Sequence, residues 1–227
     1  MLEVHLLHKG IRGFSEFLLH LFTITVGLLI AVQIESFVEW RHHLHVAEEA
    51  RVALRQEIEN NLKDFKQMKP GLKMWREEID TDLAALQRIQ EHPNDPKAQH
   101  VTMTISFSSV TQPDTAWKTA QMTGALAYMP YEEAERYSGI YQAQAALLGL
   151  QNKPMEDVAA INGLIAKYHW HHSGKITAEQ ASQMAEILGQ MRQYLAVGNS
   201  LLEVCIDQNQ SFLENRKPQN NFTETTH

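Results

Sequence analysis

Cysteine is almost absent: Cys205 is the only one in 227 residues. One thiol permits no intramolecular disulfide and no cysteine-built zinc site. It is compatible with a reducing or an oxidising compartment, so it assigns the chain to neither. Basic charge is also short, with 20 Lys and Arg against 27 Asp and Glu and a net charge of −7. Nucleic acid requires a basic face, so this balance speaks against that class of partner. Residues 35–69 carry six basic and seven acidic side chains, and residues 113–227 carry eight and twelve. Neither stretch is a basic cluster that would seek anionic lipid. The sequence has no G-x-S-x-G, no P-loop and no G-x-G-x-x-G, which leaves nucleophilic hydrolysis and nucleotide binding without a motif. No internal repeat is present, and no cofactor is implied.

Charge is missing altogether from Phe17 to Ile34, 18 residues without Asp, Glu, Lys or Arg. As a helix this stretch covers roughly 27 Å, close to the ~30 Å hydrocarbon thickness of a bilayer. Phe14, Phe17, Phe22, Phe37 and Trp40 flank it as interfacial aromatics do. Its rivals are a buried core helix and a cleaved signal peptide. The apolar stretch is longer than a signal core, and Gln33-Ile34-Glu35-Ser36-Phe37 offers no small-x-small exit. The reading is an uncleaved transmembrane helix over 14–36, after an N-terminal tail of residues 1–13. Lys9 and Arg12 precede it and Arg41 and Arg51 follow, so orientation is nearly balanced. The short basic tail favours the inner side and places the large domain outside.

The helical pattern continues beyond Trp40. Phe37, Trp40, Leu44, Ala47, Arg51, Leu54, Ile58, Asn61, Phe65 and Met68 recur at spacings of three and four, a heptad seam. Pro70-Gly71 is expected to stop this helix, giving a long helix over about 37–69. Leu72, Trp75, Ile79, Leu83, Leu86 and Gln90 mark a second, shorter one. "HPNDPKAQH" reads as loop, and "VTMTISFSSV" as an extended segment or hairpin arm. A helix is expected from Asp114 to Met129, another after Pro130, and a third from Pro154 to about His172. Thr177-x-x-Gln180 is a capping box. It opens the clearest periodicity in the chain: Ala181, Met184, Leu188, Met191, Leu195, Gly198, Leu202, Cys205, Asn209 and Phe212. The fold expected is all-α: an N-terminal transmembrane helix continuing into an antiparallel helical bundle, residues 37–216. Its long first and last helices, about 37–69 and 178–214, pair with each other, and a disordered tail occupies 217–227. Arg51, Asn61 and Asn209 are polar residues on the seams, where they fix register or partner choice.

Two constellations bear on chemistry. His42/His45 and His169/His172 are i,i+3 pairs, each able to hold a metal on one helix face. A di-iron bundle would need a second Glu-x-x-His beside Glu39-x-x-His42, and none exists; surface histidines are the plainer reading, with no metal expected. Trp117, Tyr128, Tyr137 and Tyr141 are candidates to line a ligand pocket between helices 114–128 and 131–150, although aromatics at this spacing also serve as ordinary core.

"FTITVGLLIAVQIESFVEWRHH" with "ALRQEIENNL" (Ala53–Leu62) resembles a group of uncharacterised bacterial single-span membrane proteins. In these an N-terminal span runs into a Trp/Arg-containing helix with an L-R-x-E-I-x-x-N stretch. "DTAWKTAQMTGAL" (Asp114–Leu126) is similar to a Trp- and Ala-rich helix in some of them. The resemblance covers about the first third of the chain plus that helix, and its motifs are structural. It implies bacterial origin and carries no established activity. The expectation is a bacterial inner-membrane, single-pass protein with its large domain in the periplasm. It would act without catalysis, as a scaffold or accessory subunit that contacts the bilayer through one span and a second copy or another membrane protein through its helices. A sensory bundle holding a small molecule, or a histidine-based metal site, are the alternatives.

Overall fold

In the computed structural model, residues 13–99, 103, 111–170 and 174–219 are described, and every regular element among them is helical. The elements are α1 (Phe14–Glu91), α2 (Pro96–Gln99), α3 (Thr115–Met122), a 3-10 turn (Ala125–Tyr128), α4 (Tyr131–Gly149), α5 (Asn152–Lys167) and α6 (Ala178–Leu213). The all-α class expected from the periodicity is the class observed. The expected extended segment at 101–110, Met103 apart, and the tails before Gly13 and after Gln219 lie outside the described residues. Two compact units divide between Glu49 and Ala50.

In the first unit, α1 carries an 18-residue window of mean hydropathy 2.2, none of it buried. This helix is long and apolar enough to cross a membrane. Within this stretch Ile24 and Leu28 are 69% and 65% exposed. Two hydroxyls lie within the apolar run. The Thr23 and Thr25 hydroxyls donate to the Leu19 and Leu21 carbonyls at 2.8 Å each, so neither is left without a partner in an apolar medium.

The second unit is built on two long helices. Leu54, Ile58, Phe65, Ile79, Leu86 and Ile89 of α1 are buried, and Met68, Leu72 and Trp75 pack against the same clusters. Together with Asn61 and Asp82 they step along α1 by four and three without a break in phase. α6 buries Ala181, Met184, Leu188, Met191, Leu195, Leu202, Cys205 and Asn209 at the same spacing. Arg55 reaches the Leu213 carbonyl, Lys69 pairs with Glu203, and Asp80 pairs with Arg192. Residue numbers rise on α1 as they fall on α6, so the pair is antiparallel. Within this unit the stretch of α1 that pairs is Arg55–Ile89, which runs past the end expected at residue 69.

That shift follows from Pro70, which does not end the helix: α1 runs through it to Glu91. An interior proline loses one backbone hydrogen bond and costs about 3 kcal/mol. Pro70 lies on the exposed face, where water can reach the freed Lys66 carbonyl. Phe65 before it and Leu72 and Trp75 after it are held by one partner helix. Burying a large apolar side chain contributes ~1.5–3 kcal/mol, so a few such contacts outweigh the proline.

The third position of the bundle is filled twice. α4 packs beside α1 and α6 around Phe65, Ala143, Leu147, Leu202 and Cys205. α5 does so around Ile79, Leu86, Ile161, Ile165, Met184 and Leu188. The expected capping box is present: the Thr177 side chain accepts from the Gln180 N–H, and the Gln180 side chain accepts from the Thr177 N–H. Gln99 ties the far loop, donating to the Ile176 carbonyl at 2.9 Å and accepting from the Ile176 N–H at 3.1 Å. The helix expected over 114–129 breaks at Gly124, whose φ of 70° is left-handed. Glycine adopts that conformation without strain, so α3 ends at Met122 and a 3-10 turn follows.

Candidate functional site

The α1–α4–α6 end of the bundle is polar inside. Glu57 of α1 is buried and its carboxylate accepts the Tyr141 hydroxyl at 2.7 Å. It also accepts the backbone N–H groups of Ala116 and Trp117 at 2.9 and 3.4 Å. These are among the first amides of α3, donors that no carbonyl within the helix can satisfy. A carboxylate there also meets the positive end of the helix dipole. Asp114, which precedes α3, makes no side-chain cap, so Glu57 supplies from another helix what the local sequence does not.

A second chain of amides runs beside it. Asn61 Nδ2 donates to the Pro113 carbonyl at 2.9 Å and to Gln144 Oε1 at 3.2 Å. Gln144 Nε2 donates to Asn209 Oδ1 at 3.4 Å, and Asn209 Nδ2 donates to the Cys205 carbonyl at 2.7 Å. Asn61 and Asn209, singled out on two separate seams, are therefore joined through Gln144 of α4. Arg51, the third seam residue, grips Glu133 with both prongs, Nε–Oε1 at 2.7 Å and Nη2–Oε2 at 3.0 Å. Glu57 and Gln144 were not candidates from the sequence. Glu57 falls one residue before the seam position Ile58, which is the only hint of its burial.

The four aromatic candidates take different positions. Trp117 and Tyr141 stack on each other, centroids 5.1 Å apart and planes 8° off parallel. Tyr137 is buried and tilts against Phe212 at 4.9 Å. Tyr128 is 41% exposed on the 3-10 turn. Burial, then the hydrogen bond to Glu57, pushes the Tyr141 hydroxyl far above its ordinary range, and burial pushes Tyr137 up to about 12. Both stay protonated, and Tyr141 remains a donor.

Of these four, Trp117 lines an open groove of about 930 Å³ running along one face of α4. Small side chains of α4, Ala134, Ser138, Gly139 and Ala143, are part of its lining. Leu126 and Trp117 contribute from one neighbour, and Gln208, Ser211 and Phe212 of α6 from the other.

Of the histidine candidates, His42, His45 and His169 are among the described residues. His45 Nε2 lies 3.3 Å from Glu49 Oε1, both exposed, and the His42 and His43 rings sit 5.9 Å apart. His169 has a left-handed backbone, φ 51°, and His172 lies outside the described residues. Among the described residues no group of three or more His, Cys, Asp or Glu comes together to hold a metal. Cys205 is fully buried, and burial pushes its thiol up to about 12, so it is protonated and unreactive at neutral pH.

The geometry defines a class: an all-α chain with one helix apolar and long enough for a bilayer, and a cross-tied helical bundle. Comparison with protein-family models, with curated proteins and with solved structures gives no match for this chain.

Proposed function

We propose that this protein is a membrane-anchored helical scaffold or accessory subunit that works through protein–protein contact and associates with itself. The observation that carries this reading is the disposition of the buried polar groups. Glu57, Asn61 Nδ2, Gln144 and Asn209 hydrogen-bond to one another, to Tyr141 and to backbone groups of α3, the Pro113 segment and Cys205. Such ties set the register of helices rather than activate a substrate. They make a defined surface, which is what a contact module requires. The uncovered apolar stretch at Phe17–Ile34 supports an anchor. In a bacterial cell the reading places that anchor in the inner membrane and the bundle in the periplasm.

Chemical crosslinking in native membranes, followed by mild detergent extraction, tests the reading. A crosslinked dimer, or one partner recovered in fixed proportion, is the expected result. Recovery of monomer alone, with nothing co-purifying, would overturn it.

A further inference from the structure

The groove along α4 has the size of a ligand site: about 930 Å³, within the ~300–1,000 Å³ usual for small-molecule clefts. Three features describe what would fit. The first is aromatic surface. Trp117 has one face covered by Tyr141 and lines the groove, while Tyr131, also in the lining, is 80% exposed. The second is negative charge. The exposed Glu135 carboxylate lines the groove and meets no cation among the described residues. Among the described lining residues the one cation, Arg136, is turned onto partners of its own. Its Nη2 donates to the Ser211 and Arg216 carbonyls at 3.2 Å each, its Nη1 donates to Asn215 Oδ1 at 3.3 Å, and its guanidinium lies over Phe212. The third is room along the helix. A Cβ built on Gly139 meets nothing within 4 Å, so the space over α4 is open.

We infer that this groove binds a small organic cation with a flat or apolar body, its positive charge set against aromatic faces and Glu135. Cation–π contact contributes ~0.5–2 kcal/mol, more as water is excluded. The site goes beyond a scaffold role: ligand occupancy would change the surface formed by α3, α4 and the end of α6.

The probe is benzyltrimethylammonium, titrated by calorimetry into the full-length protein in a non-ionic detergent, with phenylacetate as the anionic counterpart. Saturable binding of the cation with Kd at or below about 1 mM is expected, with none for phenylacetate. Gly139→Leu fills open space, removes a helix glycine and leaves the fold intact by circular dichroism; it should weaken binding at least tenfold. Glu135→Gln should weaken it about three- to tenfold. Absence of saturable binding overturns the inference. So does equal affinity for phenylacetate, an unchanged affinity in folded Gly139→Leu, or an unchanged affinity in Glu135→Gln.

Discussion

Where α5 lies against α1 and α6, the interior is mostly aliphatic, with Ile79, Leu86, Ile89, Ile161, Ile165, Met184 and Leu188 beside the buried acids Asp82 and Asp157. Where α4 takes the same place, it includes Glu57, Asn61, Tyr141, Gln144 and Asn209. One pair of long helices thus runs through an apolar layer and a polar one. The apolar layer gains from area and tolerates sliding, because one aliphatic contact resembles the next. The polar layer gains little net energy per hydrogen bond, but any slip leaves donors and acceptors unmatched. The two layers therefore divide the work: one supplies stability, the other position.

The largest effect should come from the apolar layer. Leu188→Ala opens a cavity among fully buried neighbours and should cost about 3 kcal/mol, read by denaturant unfolding of the detergent-solubilised protein. A loss below about 1 kcal/mol would mean that this layer is loosely packed.

The polar layer should respond to a cycle rather than to a single change. Glu57→Leu strands the Tyr141 hydroxyl and the Ala116 N–H and should cost about 2 kcal/mol. It should also speed hydrogen exchange at Ala116 and Trp117. Adding Tyr141→Phe removes one stranded donor, so the double variant should be less destabilised than the sum of the two singles, with a coupling of about 1 kcal/mol. Simple additivity would show that the carboxylate and the phenol do not support each other.

Asp82 sharpens the comparison, being a buried acid in the apolar layer. Burial, then the neighbouring Glu78, raises its pKa from 3.8 to about 6. The folded state therefore binds the proton more tightly than the unfolded chain. The stability tied to this proton is complete below about pH 4 and is lost as pH rises through about 6. Asp82→Asn should stabilise the protein by up to about 2 kcal/mol at pH 7 and by almost nothing at pH 4, measured as the difference between variant and parent unfolding midpoints. An equal difference at both pH values would remove Asp82 from the account.

Much of this was legible in the sequence. The buried positions from Leu54 to Ile89 keep phase across Pro70, a continuity that two separately read stripes do not use. Local propensity makes Pro70-Gly71 a stop, and a tertiary partner on both sides of it overrides that preference. The last helix, its capping box and its buried face were readable because α6 is long and strictly periodic. The polar layer was readable only in part. Asn61 and Asn209 stand out as amides at apolar positions. Gln144 does not, in an Ala- and Gln-rich helix, and Glu57 resembles any charge beside a seam. What makes Glu57 matter is the start of α3, a segment 59 residues away that no spacing rule brings to it. Of the aromatic candidates, Trp117 and Tyr141 stack on each other and Trp117 lines the groove, an arrangement that no helical spacing within one element displays.

Cys205 has a practical consequence. It is the single thiol of the chain and lies at zero exposure between Phe65, Ala143, Leu147 and Leu202, so a maleimide can label it only in molecules whose helices have parted. The labelling rate under native conditions therefore counts openings of the polar layer directly. It makes a built-in clock for the seal between the two long helices, readable in intact membranes without adding a probe to the sequence.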